Sequence, residues 1–141
     1  MKKAIWILTL FVLVLASCTP SLDDAEARDV GSTPDGKRVI FYFEKGTNNK
    51  IGERSFYPNS QQCYTELRYK DSKRHGECYT FHDNGNKWSL NTYENGVLDG
   101  EYRAWYENGK IRIEGEYENG KETGEWIFYN ENGTEASRVS R

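Results

Sequence analysis

Four side chains in the middle of this 141-residue chain, Cys63, His75, Cys78 and His82, are of the types that bind zinc or pair oxidatively. Two thiolates and two imidazoles would complete a tetrahedral shell, but His75, Cys78 and His82 lack the paired spacing of a zinc finger. His82 also stands just before a turn and His75 in a connection, so no metal site is assigned. Cys63 and Cys78 could form a disulfide in an oxidising compartment. Aligning the strands by their turns, however, sets Cys63 several residues from the partner of Cys78, and a bridge needs Cα atoms within about 7 Å. Otherwise the two are separate small apolar side chains. Paired carboxylates abound among 22 acidic residues, where such pairs are mostly solvated surface. No nucleophile recurs with a base and a supporting pocket, so neither catalysis nor a cofactor is expected, and a small-molecule ligand is disfavoured.

The elements that must carry these residues repeat every 24 positions. Gly52, Gly76, Gly100 and Gly124 are each followed by Glu, at Glu53, Glu77, Glu101 and Glu125, and an aromatic stands five residues past each glycine at Tyr57, Phe81, Trp105 and Tyr129. Asn84-Gly85, Asn108-Gly109 and Asn132-Gly133 recur with the same period, as do Tyr69, Tyr93 and Tyr117. Fixed-period self-similarity marks a repeat architecture whose units bury a core only by stacking.

Each unit reads as β structure. Glu101 to Tyr106 forms a strand, Asn108-Gly109 a type I′ hairpin turn, and Ile111 to Tyr117 the return; Asn119-Gly120 then reverses the chain before Gly124. The expectation is an all-β fold, an elongated antiparallel meander of repeated hairpins. Alternation slips at Trp88 and Leu90, which calls for a bulge or a strand presenting both faces. The first unit is eroded, with Ser60-Gln61 in place of the turn Asn-Gly and Lys70-Asp71-Ser72 in place of Glu94-Asn95-Gly96. Arg38 to Phe43 reads as the leading strand, and Ala136 to Arg141 as an exposed final edge.

Ahead of the array, residues 1–17 read as a targeting segment, with Lys2 and Lys3 before the apolar stretch Ala4 to Leu15. Leu15-Ala16-Ser17-Cys18 resembles the lipobox of bacterial lipoproteins, which implies lipidation at Cys18 and a membrane anchor. Thr19, where an Asp would imply inner-membrane retention, implies the outer membrane of a cell that has one. Residues 18–37, rich in Pro, Gly, Ser and Asp, read as a flexible tether, and residues 38–141 as the repeat domain. Without residues 1–17 the chain carries 17 basic and 22 acidic side chains, net −5, which argues against nucleic acid or anionic lipid as the main partner, since both need a basic footprint. Leu, Ile, Val and Phe are scarce, whereas tyrosine and tryptophan abound, so the core should be thin and aromatic.

Tyr93 to Tyr106 and Tyr117 to Tyr129 follow the pattern Tyr-Glu-Asn-Gly, three variable residues, Gly-Glu, aromatic, and Phe43 to Arg141 as a whole resembles the MORN-repeat variant of bacterial proteins. The resemblance implies a dimerising, scaffolding or lipid-associating surface, and relatives labelled antitoxins imply an immunity-like alternative that rests on protein binding. A third reading lets surface tryptophans stack on glycan rings of the cell envelope. Glu53, Glu77, Glu101 and Glu125 are expected to form one acidic row, opposite Tyr102 and Trp126, about 9.5 Å apart along the sheet. Glu77, Glu101 and Glu125, with Trp88 and Trp105 at the margin, are the candidate binding residues for a basic protein segment.

Overall fold

The computed structural model describes residues 22–141; residues 1–17, expected to be a targeting segment, and Cys18 lie outside the described residues. Eleven strands run as β1 Glu26–Ser32, β2 Arg38–Phe43, β3 Lys50–Phe56, β4 Cys63–Lys70, β5 Lys73–Arg74, β6 Gly76–Phe81, β7 Lys87–Glu94, β8 Val97–Trp105, β9 Ile111–Glu118, β10 Lys121–Tyr129 and β11 Glu135–Ser140. They form one antiparallel sheet in chain order, with the short β5 beside β4. Sequence neighbours are therefore space neighbours throughout, as expected when each connection is a tight turn.

The meander is longer than the repeat pattern implies. Leu22–Asp24 forms a 3₁₀ turn, and β1 pairs along the whole of β2. The flexible-tether reading is thus corrected over residues 22–37, and Arg38–Phe43 is not the leading strand. Composition misled here because β1 is an edge strand with mostly exposed residues, so its pairing rests on backbone hydrogen bonds and a turn. That turn is Thr33-Pro34-Asp35-Gly36-Lys37, where Thr33 N–H donates to the Lys37 carbonyl and Gly36 N–H to the Thr33 carbonyl.

Turns on the two margins of the sheet differ. Asn95-Gly96 and Asn119-Gly120 have both central residues at positive φ, the type I′ geometry. At Asn84-Gly85, Asn108-Gly109 and Asn132-Gly133 only the glycine is at positive φ, at 89°, 81° and 90°. These are three-residue loops, a type I turn followed by a left-handed glycine, and not type I′ turns. Each is closed twice: His82, Tyr106 and Asn130 N–H donate to the carbonyls of Asn86, Lys110 and Thr134, and the glycine N–H returns to the same three residues' carbonyls.

Side-chain and backbone hydrogen bonds lace successive units along both margins. Tyr57 Oη donates to the Phe81 carbonyl at 2.8 Å and Tyr106 Oη to the Tyr129 carbonyl at 2.7 Å, with His82 Nε2 3.2 Å from the Trp105 carbonyl between them. Asn84 and Asn108 Nδ2 reach the Glu107 and Glu131 carbonyls in the next turn. On the opposite margin the N–H groups of Gly96 and Gly120 donate back to the Arg74 and Leu98 carbonyls.

Bulges also keep the period. Tyr64, Trp88, Arg112 and Ala136 are the unpaired residues at the starts of β4, β7, β9 and β11. The slip in alternation thus has both explanations: Trp88 is bulged, and β7 points Leu90, 4% exposed, to one face while Ser89 and Asn91 face the other.

Candidate binding surface

Directly opposed residues share a face, so the register divides the sheet into two. On one face Tyr102 lies opposite Gly115 in β8–β9, and the Trp126 ring covers Gly115 from β10: a Cβ there would stand 2.4 Å from Trp126 Cδ2. Tyr102 stacks on Trp126 at 5.4 Å, and Tyr117 meets both rings edge-on at 5.1 and 5.9 Å. Ala104 and Cys78 are buried on the same face. Trp126, 3% exposed, is the centre of this aromatic packing.

The other face carries charge. One unbroken cross-strand row runs Arg54, Glu66, Tyr79, Leu90, Arg103, Glu114, Ile127, Arg138. Glu77, Glu101 and Glu125 stand two residues along their strands from Tyr79, Arg103 and Ile127, on that same face, as expected. Each has a partner: Glu77 accepts the Tyr79 hydroxyl at 2.6 Å, Glu101 pairs with Arg103 at 2.6 Å, and Glu125 with Arg138 at 2.7 Å. Burial, and then the bond to Glu77, push the Tyr79 hydroxyl well above the usual phenol range.

Glu53 is on the opposite face. It pairs across from Phe41 and Leu67, accepts Lys50 Nζ at 3.2 Å, and receives the Tyr69 hydroxyl at 3.4 Å. The cause is one residue. Four residues separate Tyr57 from Gln62 in the β3–β4 loop, against three in the loops after His82 and Tyr106. The return strands keep their spacing, so β3 slips by one and every side chain on it changes face. Gly52 takes the place of the row glutamates, and Phe56, not Tyr57, that of Phe81, Trp105 and Tyr129. The slip also changes the backbone of this glycine: Gly76, Gly100 and Gly124 sit at φ 74°, 110° and 65°, whereas Gly52 is not among the positive-φ residues.

Between β8, β9 and β10 the charged face holds a shallow groove of about 520 Å³, lined by Glu101, Arg103, Glu114, Glu116 and Glu125 among others. Glu101 is directly opposite Glu116, an arrangement of like charges that destabilises a sheet. Arg103 alone answers four carboxylates in the lining; Arg138 reaches Glu125 from the edge strand. Trp88 is 41% exposed, its ring 5.9 Å from that of His82, and Trp105 is half-buried with Lys87 Nζ 5.7 Å over its ring. Neither lines the groove. Tyr69 and Tyr93 instead carry the cations Lys50 and Arg74 over their rings.

Cys63 and Cys78 are free thiols, two separate side chains and not a bridge. Thr65 pairs with Thr80, so Cys78 lies across from position 67, four residues or about 13 Å along β4 from Cys63. Burial pushes the Cys63 thiol up to about 11 and raises that of Cys78 as well. His75 turns to Glu94 at 3.4 Å and His82 to the Trp105 carbonyl, so the four residues point to separate partners.

Two signals could have exposed the register change from sequence: the extra loop residue in Pro58-Asn59-Ser60-Gln61, and the isolated Glu53 beside Lys50. The contributions of Glu114 and Glu116 could have been read from the alternation of Glu114-Gly115-Glu116 in β9. No curated protein and no solved structure matches this chain. The family comparison agrees with the 24-residue spacing: residues 74–95 and 98–119 match the MORN repeat variant, which places β6 to β9 and the inner half of the groove within two repeats of that kind.

Proposed function

We propose that the chain is a cell-envelope lipoprotein, anchored through Cys18, whose repeat sheet binds a basic protein segment along the charged face and performs no catalysis. The observation that carries the reading is the groove over β8–β10, where Glu101 opposes Glu116 and Glu114 and Glu125 complete a site with one cation in its lining. Holding like charges opposite one another costs stability, and a cationic side chain laid between them would relieve it. The anchor reading is supported by the lipobox-like Leu15-Ala16-Ser17-Cys18, and the scaffold reading by the MORN-variant repeats. Outer-membrane placement follows from Thr19, and an antitoxin-like role is the special case in which the basic partner is a toxin domain. The exposed Trp88 favours the glycan reading as a second one.

Crosslinking and pulldown from intact cells identifies the partner. Replacing Glu77, Glu101 and Glu125 by Gln should leave the denaturation midpoint nearly unchanged, slow association several-fold at low salt, and flatten its salt dependence. Unchanged capture with an unchanged salt response would reject the charged face as the binding surface. Retention on purified peptidoglycan that Trp88→Ala abolishes would support the glycan reading instead.

A further inference from the structure

Leu22 is 1% exposed, the most deeply buried large side chain among the described residues. Its slot exists because position 52 is glycine: a Cβ there would stand 2.3 Å from Leu22 Cδ2 and 2.9 Å from Cδ1. Asp23 adds an ion pair to Arg54 at 3.6 Å, and Ala25 N–H donates to the Leu22 carbonyl, handing the chain directly to β1. The chain is therefore fixed to the first unit from Leu22 onward. The one-residue slip of β3 is what turns Gly52 toward Leu22, so the eroded unit has a use of its own.

On the reading that Cys18 carries the lipid, only four peptide steps separate the acylated residue from this clamp, about 14 Å at full extension. We infer that the first unit docks the array at the phospholipid surface, with the sheet standing up from the bilayer and its last strands farthest out. The charge distribution fits that orientation. Residues 22–74 carry 10 basic and 9 acidic side chains, whereas residues 75–141 carry 7 and 13. An anionic headgroup surface tolerates the first set and repels the second. Ten strands along the sheet span about 43 Å, several times the Debye length of about 8 Å, so the acidic end escapes that repulsion only when the array is upright. The same posture turns the acidic groove away from the membrane and leaves it open to a basic partner.

The test uses the full-length lipidated chain on vesicles of phosphatidylcholine and phosphatidylglycerol with a headgroup-borne acceptor dye. A donor is placed on a single cysteine introduced at Lys45 or at Glu131, in a Cys63→Ser, Cys78→Ala background. Energy transfer should be several-fold greater from position 45 than from 131. Inserting twelve Gly/Ser residues between Ser21 and Leu22 should reduce transfer from 45, and Leu22→Asp should do the same without changing the amount of bound protein. Equal transfer from the two positions, or transfer from 45 that the insertion leaves unchanged, overturns the docking while the anchor stands. A wild-type chain that sediments with vesicles no better than Cys18→Ala overturns the anchor, and the docking with it.

Discussion

Trp126 and Trp105 hold different positions of the 24-residue repeat, two and five residues past its glycine, and in the sheet they have different environments. Trp126 is enclosed by Tyr102, Tyr117 and the bare backbone of Gly115, whereas Trp105 is half-buried beside Lys87. Trp126→Ala should therefore cost about 3–5 kcal/mol, and Trp105→Ala distinctly less, measured as urea midpoints at constant m-value. The aromatic richness of the core was legible in the composition, but which tryptophan is central was not. It depends on Gly115, whose missing side chain makes room for an indole from the next strand. Cys63 gives a second residue-scale prediction. Burial holds its thiol near 11 where an exposed one titrates near 9, so alkylation of the native chain at pH 8 should be slow and should rise only as pH approaches 11. The unfolded thiol ionises first, so this group's contribution to stability is intact below about pH 9 and declines between 9 and 11. Mass-spectrometric alkylation rates of native and urea-unfolded protein, compared across pH, check both the value and its sign.

At the scale of the element, the hairpin is repeated less strictly than the motif that announces it. Asn-Gly was correctly read as a turn at every position, yet the same dipeptide closes a type I′ turn on one margin and a three-residue loop on the other. Both loops need a residue tolerant of positive φ, and the sequence signal does not separate them, because the glycine is common to both and only the asparagine changes conformation. What the asparagines on the loop margin do was also hidden: Asn84 and Asn108 cap carbonyls in the following turn. The hydroxyl of Tyr106 makes the corresponding tie to the Tyr129 carbonyl, at 2.7 Å and partly buried. Tyr106→Phe removes that donor alone and should cost about 1–1.5 kcal/mol. Hydrogen exchange should show the loss concentrated at the β8–β10 end, since in a stacked array each unit is held by its neighbours. A uniform loss of protection over all strands would mean that the sheet unfolds as one cooperative block and that the tie is not local.

The described residues form a single sheet with two free edges, and its stability depends on how those edges are finished. β11 ends the array with exposed residues and Arg138 paired to Glu125 and Glu135. At the other end the strand that needs cover is β2, Arg38-Val-Ile-Phe-Tyr-Phe, a run of high β propensity with Val39 and Tyr42 both 8% exposed. β1 covers it. The strand was missed in the sequence because its composition is that of a linker, although Pro34-Asp35-Gly36 between it and β2 is a turn signal with a definite mechanism. Deleting residues 22–32 from the full chain, leaving Cys18 in place, distinguishes the two descriptions directly. A tether can be shortened at no cost to the fold. Removal of β1 and of the Leu22 clamp should instead cost at least about 2 kcal/mol from the buried leucine alone, and should bare the β2 edge. The expected result is a lower thermal midpoint together with concentration-dependent self-association in analytical ultracentrifugation, relieved by placing a lysine at Ile40. A deletion variant that stays monomeric with an unchanged midpoint would return residues 22–32 to the role of a tether and leave β2 as a stable natural edge.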